Sequence, residues 1–116
     1  MEFRWNVFLA NLDPVIGSEQ GKARPVLIIS DEGVNQLLSV VNALPITSRK
    51  EDRKIYPNEV LLRAGVAGLP RESIVLCQQI RTLDKKRLIK HMGSIDDFTI
   101  RTEVLQSLPF QLGIPQ

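Results

Sequence analysis

The stretch Gly17-Ser18-Glu19-Gln20-Gly21-Lys22-Ala23-Arg24-Pro25, running directly into Val26-Leu27-Ile28-Ile29-Ser30, decides how this chain is read. Pro25 has a fixed φ and bars Arg24 from helical backbone, so loop gives way to strand at that point. The apolar run that follows is what a buried strand requires. The polar loop before it delivers a carboxylate, Glu19, and a guanidinium, Arg24, to the mouth of the strand. An acid and a cation held beside a rigid sheet suit chemistry on an anionic substrate.

Strand signals continue on both sides of this stretch. Asn6 to Leu12 mixes β-formers with polar residues and meets a turn at Asp13-Pro14. Asp31 can cap a short helix through Gln36, and Ser39 to Ile46 is a further β-rich run closed near Pro45, Thr47 and Ser48. The charged stretch Arg49 to Pro57 reads as a mobile loop. Asn58 to Arg63, Ser73 to Gln79 and Leu88 to Ile95 are expected as strands, separated by Gly65, Gly68, Pro70 and Gly93. From Asp96-Asp97 the apolar positions Phe98, Ile100, Val104, Leu105 and Leu108 follow a helical period, with Pro109 expected to end the helix. The fold class is therefore mainly β with added helices: a single domain over residues 1–116, built as a small, strongly curved sheet or barrel with a C-terminal helix.

Composition narrows the function. With 116 residues and 43% hydrophobic content, one core forms without disulfides or metals. Cys77 is the only cysteine and lies in an apolar run, so it reads as a buried, inert thiol. One thiol and no signal-like N-terminus fit a cytoplasmic protein, and no apolar run nears the roughly 18 residues a membrane span needs. Net charge is +2, too small for a polycationic coat, but Arg81, Lys85, Lys86, Arg87, Lys90 and His91 cluster with only Asp84 opposing them. That cluster is either a solvated face or a phosphate-facing surface. Lys50, Arg53 and Lys54 interleave with Glu51 and Asp52 and read as a solvated face.

No metal-ligand spacing is present, nothing links His91 to a nucleophilic serine, and Gly17 to Gly21 lacks the Lys-Ser/Thr ending of a phosphate-binding loop. No cofactor is expected. What remains is chemistry by Glu19, Arg24 and a hydroxyl such as Thr47 or Ser48. RNA cleavage can run on such groups, because the 2′-OH is a nucleophile already tethered beside phosphorus. A base then takes its proton, and Arg24 can donate to the phosphoryl oxygens. The plainer alternatives are that Glu19 pairs with Lys22 or Arg24 on the surface and that Thr47 bonds its own turn.

Taken in order, Asn11-Leu12-Asp13-Pro14, Gly17-Ser18-Glu19-Gln20-Gly21, Arg24-Pro25-Val26-Leu27-Ile28-Ile29, Leu44-Pro45-Ile46-Thr47-Ser48 and Gln79-Ile80-Arg81-Thr82-Leu83-Asp84-Lys85 resemble the MazF/PemK-type toxins. These belong to bacterial type II toxin–antitoxin systems and are sequence-selective messenger-RNA endoribonucleases. The resemblance runs from the first strand to about Asp97. It implies an SH3-like barrel, a homodimer, single-stranded RNA as substrate and a cognate antitoxin as partner. It places the catalytic arginine on Arg24, the catalytic threonine on Thr47 and the loop glutamate on Glu19. RNA contacts fall on Ser18, Gln20, Ser48, Gln79 and Arg81. The Arg-Cys-Asp segment of the Kid branch is absent, since Leu76-Cys77-Gln78 stands there, so the arginine–threonine mechanism is the one implied. Some relatives carry an aromatic where Leu12 stands. Gyrase-inhibiting toxins share the fold, which makes a non-enzymatic binding module the alternative.

Overall fold

A computed structural model describes residues 1–116. Its strands are β1 (Asn6–Asn11), β2 (Ala23–Ile28), β3 (Val40–Ser48), β4 (Glu59–Leu62), β5 (Ser73–Leu76), β6 (Arg81–Asp84) and β7 (Leu88–Ser94), with helices α1 (Glu32–Leu37) and α2 (Phe98–Leu112). The sheet runs β4-β5-β3-β2-β1-β7, all neighbours antiparallel, and β6 pairs with β3. The expected mainly β fold with a terminal helix is what forms.

Both faces of the central strands are buried, which explains the unbroken apolar run after Pro25. Leu27 and Ile29 join Val7, Leu44, Ile46 and Val104 in one core, while Val26 and Ile28 join Phe8, Ala10, Val41 and Leu83 in the other. Trp5 closes the first core, with the Arg4 and Arg101 guanidinium groups 5.5 and 5.2 Å from its ring centroid.

The ladder does not close between β4 and β7. The gap is filled by the 3-10 turn Val66–Gly68, which presses on β7 backbone to backbone. A Cβ on Gly93 would lie 2.7 Å from the Ala67 carbonyl carbon, and one on Gly68 would strike the Met92 carbonyl. Only glycine permits that approach.

Three sequence expectations are corrected. Pro109 does not end α2, which continues to Leu112. The carbonyl that Pro109 leaves without an N–H, that of Leu105, accepts from Gln116 Nε2 at 3.2 Å. The helix ends instead at Gly113 in left-handed backbone, with the Ile114 amide donating to Pro109 O at 2.9 Å. The run from Ser73 leaves the sheet at Leu76 and turns through Cys77–Gln79. The charged stretch Arg49–Pro57 is anchored: Arg49 Nε donates to Arg53 O at 2.9 Å, and Arg53 makes two bonds to Glu59.

Two carboxylates tie segments together. Glu32 accepts from the Phe3 and Arg4 amides and from Asn35 and Gln36, fastening the N-terminus to α1. Burial alone raises its pKa, but those four partners override burial and bring it from 4.5 to about 2. Glu59 also falls from 4.5 to about 2, chiefly through hydrogen bonds from Arg53, against burial and with help from Gln78 and the Tyr56 amide.

Because folding lowers both pKa values, the unfolded chain takes up protons first as the solution is acidified. Their stabilisation is complete above about pH 4.5 and is lost as pH falls toward 2. Urea unfolding across that range should show this decline, and Glu32→Gln should show a shallower one from a lower neutral-pH starting value. Gly93→Ala should destabilise the fold by about 1–3 kcal/mol at neutral pH, because backbone on the far side of the seam must move. An unchanged melting temperature for that variant would show that the seam is not tight.

Candidate active site

Arg24 and Thr47 meet through strand register. Val26 pairs with Pro45 and Leu27 with Leu44, and just beyond the end of that pairing Arg24 and Thr47 line the same cleft. Thr47 is held from its other side by pairing with Ile74, and Arg24 by pairing with Ala10. Both are half-buried and line an open cleft of about 560 Å³ with Gln20, Ser48, Arg49, Lys50, Glu51 and Arg71. No lining side chain is hydrophobic, and four cations face one carboxylate. Such a surface suits an extended polyanion rather than an apolar ligand. Arg24 Nε donates to Gly21 O at 3.0 Å, which fixes the guanidinium plane.

The glycine loop forms the next section of wall. Its base is closed by Leu12 N–H donating to Lys22 O and Lys22 N–H donating to Asp13 Oδ1, each at 2.8 Å. Two cations of the basic cluster buttress it: Arg81 donates to Leu12 O at 2.9 Å, and Arg87 to Asp13 O at 2.6 Å. Gln79 spans the loop, donating to Ser18 O at 3.2 Å and accepting from the Gln20 amide at 3.4 Å. Thus Ser18, Gln20, Gln79 and Arg81 form one contiguous unit.

Glu19 stands apart from Arg24 and Thr47. Its Oε1 accepts from the Ile16 amide at 2.6 Å, and it lines an adjoining depression with Ser18, Gln78, Gln79, Arg81 and Thr82. A middle section, walled by Gln20, Thr47, Ser48, Lys50, Arg53 and Gln79, connects the two. The result is one groove, cationic at the Arg24 end and rich in amides toward Gln79.

Arg49, Lys50, Glu51, Arg71 and Gln78 line this groove although the sequence did not single them out for it. Lys50 and Glu51 belong to the run read as a solvated face, Arg49 to the stretch read as a mobile loop, and Arg71 had no motif to mark it. His91 lies elsewhere, exposed on β7, with Nε2 2.7 Å from Asn6 Oδ1. Cys77 is fully buried, and burial, with the Glu59 charge, pushes its thiol up to about 12, so it is inert. No group of three or more His, Cys, Asp or Glu side chains gathers as a metal site. No helix is long and apolar enough to cross a membrane.

The sequence profile of the PemK-like, MazF-like toxins of type II toxin-antitoxin systems matches residues 3–111. The chain belongs to that family. Among curated proteins, this MazF-like chain is 39% identical over 94 residues to Endoribonuclease EndoA of Bacillus subtilis, covering 81% of this chain and 80% of the relative. Among solved structures, it is similar to MazF from Deinococcus radiodurans, with a TM-score of 0.78 and 31% identity over 95% of this chain and 94% of that one. It also matches a MazE-MazF structure from the same organism, with a TM-score of 0.72, 30% identity and coverage of 99% and 97%.

In the MazF-like chain, Gln79→Ala removes the two bonds its side chain makes to the glycine loop, at Ser18 and Gln20. Protection of the Gln20 amide against hydrogen exchange should then drop about fivefold, as expected for about 1 kcal/mol of lost bonding. Equal protection in the variant would show that the loop is held by other contacts.

Proposed function

We propose that this chain is the toxin of a type II toxin–antitoxin pair and a sequence-selective endoribonuclease that cleaves single-stranded RNA without a metal ion. The observation that carries the reading is the convergence of Arg24 and Thr47 on a polar, cationic groove. The 39% identity to an endoribonuclease supports it.

In the proposed reaction the RNA 2′-oxygen attacks the adjacent phosphorus and the bond to the 5′-oxygen breaks. The products are a 2′,3′-cyclic phosphate and a 5′-hydroxyl. Arg24, fixed by the Gly21 carbonyl, donates to the phosphoryl oxygens as charge grows on them, and the Thr47 hydroxyl adds a second donor. The 2′-OH proton passes to a base, and the departing 5′-oxygen takes up a proton. Glu19 is the base in this scheme; it serves once its carboxylate leaves the Ile16 amide and turns along the groove toward Thr47.

Ser18, Gln20, Ser48, Gln79 and Arg81 are proposed to hold RNA on either side of the cut, where splayed bases offer their edges to amides. An isologous homodimer would extend the groove across two copies. A cognate antitoxin is the proposed protein partner, by analogy with the MazE-MazF assembly of the Deinococcus relative.

Purified protein incubated with a long RNA in EDTA tests the reading. Cleavage should persist, the ends should be cyclic phosphate and 5′-hydroxyl, and Arg24→Ala and Thr47→Ala should each slow it by about 10²–10³-fold. Circular dichroism of both variants should match the parent. A requirement for magnesium, or full activity in Arg24→Ala, would sink this mechanism; intact RNA with growth arrest retained would favour a non-enzymatic inhibitor.

A further inference from the structure

Glu59 is enclosed at the start of β4, its side chain fully inaccessible to solvent. Four donors converge on it: Arg53 Nη1 at 2.9 Å, Arg53 Nη2 at 2.8 Å, Gln78 Nε2 at 2.7 Å and the Tyr56 amide at 3.1 Å. A buried carboxylate left short of partners is strongly unfavourable, so these donors are held as a set. Planar two-point pairing with a guanidinium also fixes direction, not only distance.

Glu59 itself lines none of the groove sections, but its partners do. Arg53 and Gln78 both wall the middle section, beside Thr47, Ser48 and Lys50. Arg49, Lys50 and Glu51, from the same anchored stretch as Arg53, wall the cationic end. Gln78 is followed by Gln79, whose side chain grips the glycine loop at Ser18 and Gln20. One carboxylate therefore sets three groove walls relative to one another: the 49–57 stretch directly, the Cys77–Gln79 turn directly, and the glycine loop through that turn. Arg24 and Thr47 are held separately, by the β-ladder.

We propose that Glu59 is a positioning residue for the groove: it sets how tightly RNA is held without touching RNA or the reacting atoms. This rests on the endoribonuclease reading above. The separation of supports makes a specific forecast. Loosening Glu59 weakens substrate holding while leaving the Arg24–Thr47 pair in place.

Steady-state cleavage of an RNA long enough to span the groove tests this, together with limited trypsin digestion of the folded protein. In Glu59→Gln, KM should rise about tenfold, equivalent to about 1.4 kcal/mol of lost holding, with kcat within about twofold of the parent. Trypsin should cut the variant at Lys50, Arg53 or Lys54 under conditions that spare the parent. Arg53→Lys keeps the charge but not the two-point contact, so its KM should rise by a smaller factor. A role in stability alone would lower kcat with the folded fraction and leave KM unchanged, and that result overturns the proposal. So does an unchanged KM in Arg53→Lys should Glu59→Gln fail to fold. If the parent leaves RNA intact, the endoribonuclease reading fails instead, and the trypsin comparison decides whether Glu59 holds the stretch.

Discussion

The molecule depends on β3 being paired along both edges. One edge runs against β2; the other runs first against β6 and then against β5. A strand bonded on both sides cannot slip, because a shift of one residue would send each buried side chain to the opposite face. With Leu44 and Ile46 committed to one core and Val41 and Ala43 to the other, such a slip would expose neither set to water but would mismatch both. Thr47 inherits its position from that lock. It needs no contact of its own to share the cleft with Arg24.

Support is divided accordingly. Arg24 and Thr47 sit at strand ends, where backbone bonds supply stiffness, whereas Glu19 sits on the loop. The remaining groove walls sit on connections, and side chains hold them: Gln79 and Arg81 on the glycine loop, Glu59 on the 49–57 stretch. The bonds from Gln79 and Arg81 are individually modest, while those on buried Glu59 stand or fall as a set. The strand-held pair and the side-chain-held walls are thus supported independently.

Much of this was legible in the sequence. Pro25 and the apolar residues after it mark the central strand, Asp97 marks the start of α2, and Cys77 in its apolar run marks an inert thiol. The residues suggested Arg24 with a hydroxyl from Thr47 or Ser48, but the choice of Thr47 followed from resemblance, since no local pattern carries the register that brings distant residues together. Nearness in sequence suggested that Glu19 would face Arg24, but the loop turns its carboxylate onto the Ile16 amide. Strand β6 was hidden because only Leu83 points fully inward and charge dominates its surroundings. The continuation of α2 past Pro109 was hidden because it depends on a distant donor, Gln116. Glu59 looked like an ordinary strand start; its burial depends on Arg53 and Gln78 arriving from two sides.

The seam between the Val66–Gly68 turn and β7 has a consequence for alignment. Elsewhere in the barrel, paired N–H and C=O groups tell each strand where to stop. At the seam no ladder does so. Alignment is set by exclusion: moving β7 by one residue would bring the side chain of Met92 or Ser94 beneath the Ala67 backbone, where only Gly93 fits. The two glycines thus act as an indexing notch for the seam edge of β7, whose other edge is set by the β1 ladder. The open edge of the sheet is packed by close backbone approach, not by hydrogen bonds.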